Sequence, residues 1–208
     1  VANAYLVIGE RPILVDTLEP GNERRILRAL EQHNLEAKAL ALIVLTHGHW
    51  DHLGSVNGLR EATGAPVALH GDDLELARAG QAKLRGVTPM GRASAGFFSS
   101  RRFAPVTPDI VLDGQGSLEQ YGVHGRLQPT PGHTTGSVSV VLESGEALVA
   151  DLVRGDFILE DRPTQHFFMD DLAVMRESIQ SLLGLPLKRL YAGHGKPFSF
   201  ESFQRRFE

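Results

Sequence analysis

The chain has 208 residues, a formal net charge of -4, 42% hydrophobic and 22% charged residues, and no cysteine. That balance suits one globular domain over residues 1–208 and excludes a disulfide framework or a thiolate metal site; the charge argues against non-specific nucleic-acid binding. The longest apolar run, Ala37 to Leu45, is interrupted by Lys38 and is too short to cross a bilayer. No basic-then-apolar leader opens the chain, so a cytoplasmic address without a membrane partner is expected.

Tyr5 to Ile8 and Ile13 to Thr17 are β-rich runs joined by Gly9-Glu-Arg-Pro12, a predicted hairpin. Asn22 is placed to cap a helix reaching about His33, in which Ile26, Leu27 and Leu30 recur at helical spacing. Leu40 to Leu45 predicts a strand covered on both faces. A helix from Leu53 to Ala62, a strand from Val67 to His70 and a short helix from Asp72 follow. Residues 80–108 carry Gly, Pro and Ser without clear periodicity and read as a long loop. Strands are then expected at Ile110–Leu112, Val123–Gln128, Ser137–Leu142 and Ala147–Ala150. A helix over Asp170–Leu183 carries Leu172, Met175, Ile179, Leu182 and Leu183 on one stripe. A strand at Arg189–Tyr191, a Gly-His-Gly loop and a short terminal helix close the chain.

Directly after the Leu40–Leu45 run stands Thr46-His-Gly-His-Trp-Asp-His52, which places His47, His49, Asp51 and His52 in an H-x-H-x-D-H pattern. Imidazole and carboxylate together favour zinc, iron or manganese over calcium or magnesium. Three further candidates occupy loops next to predicted strands: His133 in Thr-Pro-Gly-His, Asp151 after Leu-Val-Ala, and His194 in Gly-His-Gly. A structural zinc site closes with four ligands, so seven candidates point to a catalytic centre. His33, His70, His124 and His166 fit no motif and read as surface or satisfied histidines, with His70 and His166 the nearer to the site.

As a set, these seven residues resemble the ligands of the metallo-β-lactamase superfamily in identity and order, over nearly the whole chain. The resemblance implies an α+β fold, a four-layer αββα sandwich with the metals at one edge. It implies His47, His49 and His133 around one metal, Asp51, His52 and His194 around a second, and Asp151 bridging them. Two divalent transition metals are therefore expected, zinc first, with iron or manganese as alternatives. A water between them would be strongly acidified, since one zinc alone can bring its pKa from 15.7 to about 7. Asp51 has a second oxygen with which to orient that water or receive its proton. The superfamily often has glycine before the bridging aspartate; here it is Ala150, whose methyl group is expected to fit easily.

The resemblance also narrows the chemistry. Zinc β-lactamases typically carry cysteine or serine at the position of Asp151, and acyl-homoserine lactonases a tyrosine at that of Arg154. Hydroxyacylglutathione hydrolases append a helical region that the few residues after His194 do not supply. The remaining expectation is a compact hydrolase, similar to glyoxalase II, cleaving an ester, thioester, lactone or phosphoester. The alternative is a mononuclear iron dioxygenase acting on a persulfide, although Leu152 to Phe157 lacks the arginine-glycine-cysteine stretch of that group. Arg78, Lys83, Arg85, Arg92, Arg101 and Arg102, interleaved with Met90, Phe97, Phe98 and Phe103, make the segment from Leu76 to Pro108 a candidate cover for an anionic or amphipathic small molecule, with residues 80–108 alternatively a homodimer contact. Arg154, Phe97 and Phe98 are the candidate substrate residues.

Overall fold

A computed structural model describes residues 2–208. The first sheet runs β1 (Tyr5–Ile8), β2 (Pro12–Val15), β3 (Leu42–Val44), β4 (Val67–His70) and β5 (Ile110–Leu112) in that order. The β1–β2 hairpin is antiparallel and the remaining pairs are parallel. Around it lie α1 (Glu23–Gln32), α2 (Trp50–Leu53), α3 (Val56–Thr63), α4 (Leu74–Ala79) and α5 (Pro89–Ser99). The later strands are β6 (Gly116–Ser117), β7 (Gly125–Pro129), β8 (Val138–Leu142), β9 (Glu146–Ala150), β10 (Arg154–Gly155), β11 (Pro163–Thr164), β12 (Arg189–Ala192) and β13 (Phe198–Ser199). Of these, β13-β12-β9-β8-β7-β6 form the second sheet, and β10-β11 make a small separate ribbon. Helices α6 (Leu172–Leu183) and α7 (Phe200–Phe207) complete the chain.

The layering follows from the two-residue period of a strand, which sends successive side chains to opposite faces. Ile13, Val15, Leu42, Val44 and Ala68 meet Leu127, Val140 and Leu148 in one apolar cluster between the sheets. Their neighbours Leu14, Ile43, Val67 and Leu69 point outward onto Ile26, Leu30, Val56 and Leu59 of α1 and α3. On the far side, Val141, Ala147, Val149 and Leu190 pack on Met175, Ile179 and Leu182 of α6 and Phe203 of α7. The architecture is the αββα sandwich. Among the described residues no helix is long and apolar enough to cross a membrane.

Three local expectations change. Asn22 precedes α1, but its side chain makes no capping bond and instead donates to the Glu19 carbonyl. The helix expected over 53–62 begins at Trp50 and is interrupted before Val56, giving α2 and α3. Residues 80–108 are not a featureless loop, because α5 crosses them. Thr88 caps α5, its Oγ1 accepting from the Gly91 amide at 3.0 Å, and Pro89 opens the first turn. The small residues that hide its periodicity are what let it pack: a methyl at Gly91 would lie 2.2 Å from the Phe167 carbonyl oxygen.

Candidate metal centre

All seven candidate ligands leave their elements at one edge of the sandwich. His47, His49, Asp51 and His52 follow β3, His133 lies between β7 and β8, Asp151 follows β9 and His194 follows β12. Parallel alignment of β9 with β12 brings the last two loops side by side. Their closeness requires glycine at position 193, where a methyl would stand 2.2 Å from Asp151 Oδ1 and 2.7 Å from His52 Cε1.

The donor atoms converge in groups: His47, His49 and His133; His47, His52 and Asp151; Asp51, His52 and His194. Asp151 Oδ2 is the hub, 3.5 Å from His52 Nε2, 3.4 Å from His133 Nε2 and 3.4 Å from His194 Nε2. Asp51 Oδ2 is 3.3 Å from His194 Nε2. Ligands about 2.1 Å from a shared tetrahedral metal stand roughly 3.4 Å apart, so these spacings fit ions held between the side chains. His47 Nε2, His52 Nε2 and Asp151 Oδ1 are buried without a hydrogen-bond partner. Such orphans are costly inside a protein, and cations bound between the loops would offset that cost.

Outer hydrogen bonds aim the rings, and two of the residues responsible escaped the sequence reading. Asp16 is buried, and its Oδ2 accepts from His52 Nδ1 at 2.7 Å. Thr46 Oγ1 donates its single proton to the same carboxylate, so it accepts from His47 Nδ1 at 3.0 Å. Both rings thereby turn a lone pair at Nε2 toward the centre. Asp73, also buried, accepts from the Gly48 amide at 2.7 Å, Thr134 Oγ1 at 2.7 Å and the Gly136 amide at 2.9 Å, clamping the first histidine loop to the His133 loop. The signal for Asp16 was available, since it ends the apolar run Ile-Leu-Val as Asp151 ends Leu-Val-Ala. Asp73, in the short turn before α4, belongs to no pattern that marks it in the sequence.

Charge follows this packing. Burial, reinforced by neighbouring imidazoles, pushes His47 and His49 well below the usual histidine range. For His194 burial opposes the proton, but Asp151 and Asp51 outweigh it and hold the ring up to about 9. Burial likewise opposes ionisation of Asp51, yet the bond to His194 and the charges of His52 and His194 keep its carboxyl well below the usual range.

Beside the centre lies a cavity of about 280 Å³ lined by Trp50, Met90, Phe98, Arg154, Phe157 and Phe167, among others. A larger one, about 470 Å³, lies near Tyr5 and Leu30 and contains no His, Asp or Glu, so it cannot host this chemistry. Arg154 reaches the first cavity with its guanidinium 4.3 Å from the Phe167 ring and its Nε buried without a partner. Phe98 lines it as well. Phe97 does not: it is 59% exposed, packed against Arg101 on the outer side, because the two rings leave α5 in different directions. None of the six basic residues of the 78–102 stretch lines the cavity. Of the unassigned histidines, His33 and His124 are exposed, and His70 contacts Asp72 away from the cluster. His166 is buried inside it, its Nε2 3.3 Å from Asp151 Oδ2, with burial pushing the ring down to about 3.

This sandwich with a histidine-aspartate edge is that of the metallo-beta-lactamase superfamily, whose family pattern matches residues 1–194. The chain belongs to that superfamily, as a metal-dependent hydrolase. It is similar to "Probable metallo-hydrolase YflN" of Bacillus subtilis, at 26% identity over 98% of this chain and 84% of that one. It is also similar to "Probable metallo-hydrolase MJ0888" of Methanocaldococcus jannaschii, at 27% over 94% and 88%. Among solved structures, the di-iron-bound form of TTHA1623 aligns with a TM-score of 0.71 and 27% identity, covering 98% of this chain and 92% of that one.

Proposed function

We propose that the chain is a dinuclear hydrolase, with His47, His49 and His133 holding one zinc, Asp51, His52 and His194 the other, and Asp151 between them. The observation carrying this reading is the convergence of the His47, His52 and Asp151 donors on the space between the loops, with His47 Nε2 and His52 Nε2 buried and unpartnered. When bound, the metals supply an acidified water as nucleophile and polarise the carbonyl or phosphoryl oxygen of an ester, thioester, lactone or phosphoester. Asp51, held ionised beside His194, would orient that nucleophile or receive its proton. Asp16 and Thr46 keep the His52 and His47 rings in the ligating tautomer.

The cavity supports a substrate with an apolar body and an anionic group. Phe98, Phe157, Phe167 and Trp50 offer aromatic surface, and Arg154 is an always-charged group with an unpartnered N–H beside it. A cytoplasmic address fits the cysteine-free chain. The di-iron form of TTHA1623 makes iron the first alternative metal.

Metal analysis of protein purified without added metal or chelator tests the reading, followed by an ester, thioester, lactone and phosphodiester panel. Two zinc ions per chain, with turnover abolished in Asp51→Ala, are expected. A single iron with oxygen consumption would replace the hydrolase by the persulfide dioxygenase. Full activity in Asp51→Ala would remove the proposed role of that carboxylate.

A further inference from the structure

His166 lies outside the superfamily's seven-residue set, yet it sits in the middle of the cluster. It belongs to the segment between β11 and α6, and a fourth group of converging donors, His133, Asp151 and His166, includes it. Its ring centroid is 4.7 Å from that of His133 and 5.5 Å from that of His194. We propose that His166 is an additional imidazole ligand of the metal centre, on the His133–Asp151 side. The inference rests on the metal-centre reading above.

Two features carry it. The Phe168 carbonyl lies 2.8 Å from His133 Nδ1 and 3.2 Å from His166 Nδ1, so one backbone oxygen can orient both rings, each with Nε2 toward Asp151. A backbone carbonyl on the far ring nitrogen is the usual device that fixes a ligating histidine. The second feature is length. A histidine donating directly to a carboxylate settles near 2.7–2.9 Å, as His52 does to Asp16 at 2.7 Å. His166 Nε2 stands 3.3 Å from Asp151 Oδ2, longer than that bond and close to the 3.4 Å at which the His133 and His194 Nε2 atoms stand from the same oxygen.

The competing arrangement has the other tautomer, with His166 Nδ1 accepting from the Phe168 amide at 3.3 Å and Nε2 donating to Asp151. Cadmium-113 substitution separates the two, because only a metal-bound imidazole shows scalar coupling between its ring protons and the metal. The full chain, labelled at histidine and saturated with cadmium, should show His166 coupled to metal together with the proposed ligands. His166→Gln should lose that one correlation and keep the others. A folded wild-type protein with the other histidines coupled and His166 uncoupled would overturn this inference alone. No coupled histidine at all would overturn the metal centre itself.

Discussion

The floor of the site and its rim are built on opposite principles. On the floor three of the rings are locked from behind: His52 by Asp16, His47 by Thr46, His133 by the Phe168 carbonyl. At the rim, Met90 of α5 and Phe157 in the β10–β11 turn line the cavity, yet 65% and 53% of their surfaces are exposed. The adjoining Ile158 is 81% exposed. A metal centre works only when its donors are fixed within a fraction of an ångström, whereas a substrate surface needs shape and apolar area. Chemistry therefore belongs to the buried floor and selectivity to the exposed rim.

The largest expected effect breaks the floor by one methyl group. Gly193→Ala places a carbon against Asp151 Oδ1 and His52 Cε1, so metal content should collapse and hydrolysis should fall more than about 100-fold. A fully metallated, active variant would show that the two loops have room to separate. Next, Asp16→Asn keeps the shape but removes the charge behind His52, and metal affinity measured by chelator competition should weaken by about 10–100-fold. An unchanged affinity would mean that the ring is held by its packing alone. At the rim, Arg154→Met should leave metal content intact and raise KM about tenfold for an anionic substrate, with little change for a neutral ester. Equal losses on both substrates would move Arg154 from selectivity to the floor.

The same contrast explains why most of the floor was readable in sequence and, of the rim, only Phe98 and Arg154. Six of the converging residues are marked by the dense H-x-H-x-D-H run or by a glycine-flanked histidine, and Asp151 by its place at the end of an apolar strand. Those are local patterns. The helix α5 has no clean stripe, because Gly91 and Gly96 interrupt it, and it is defined by close packing on Phe167, distant in sequence. His166 and Asp73 likewise gain their places from segments that only the folded chain brings together. The central strands, by contrast, announced cover on both faces, because Ile13-Leu-Val15 and Leu42-Ile-Val44 are apolar at every position and buried throughout.

Protonation of the metal-free floor offers a smaller test. The His166 ring sits at about 3 against an ordinary 6.5, so between those values the unfolded chain binds the proton and stability rises with pH. The His194 ring sits at about 9, so from 6.5 to 9 the folded chain keeps a proton that the unfolded chain gives up, and stability falls. Chelated protein should therefore melt highest near pH 6.5, and lower at both pH 5 and pH 8.5. Metal displaces the His194 proton, so the alkaline fall should vanish in the loaded protein. A flat profile for the chelated protein would mean that these two rings are not held as the packing indicates.

The smallest effect lies at Ala150, where the sequence reading weighed only the space for a methyl group. That space exists, but the backbone there is left-handed, with φ at 46°, a region that a residue with a Cβ enters at a cost of about 1–2 kcal/mol. The strain persists because the Ala150 carbonyl accepts from the Gly193 amide at 2.6 Å while the next residue turns Asp151 into the centre. Ala150→Gly relieves the strain but gives the unfolded chain more freedom, worth about 0.4–1 kcal/mol in the opposite direction. The net gain should thus lie between about 0 and 1.6 kcal/mol in denaturant unfolding, with metal affinity unchanged. A loss of metal affinity in Ala150→Gly would show that the strained residue, rather than the strand preceding it, is what aims Asp151.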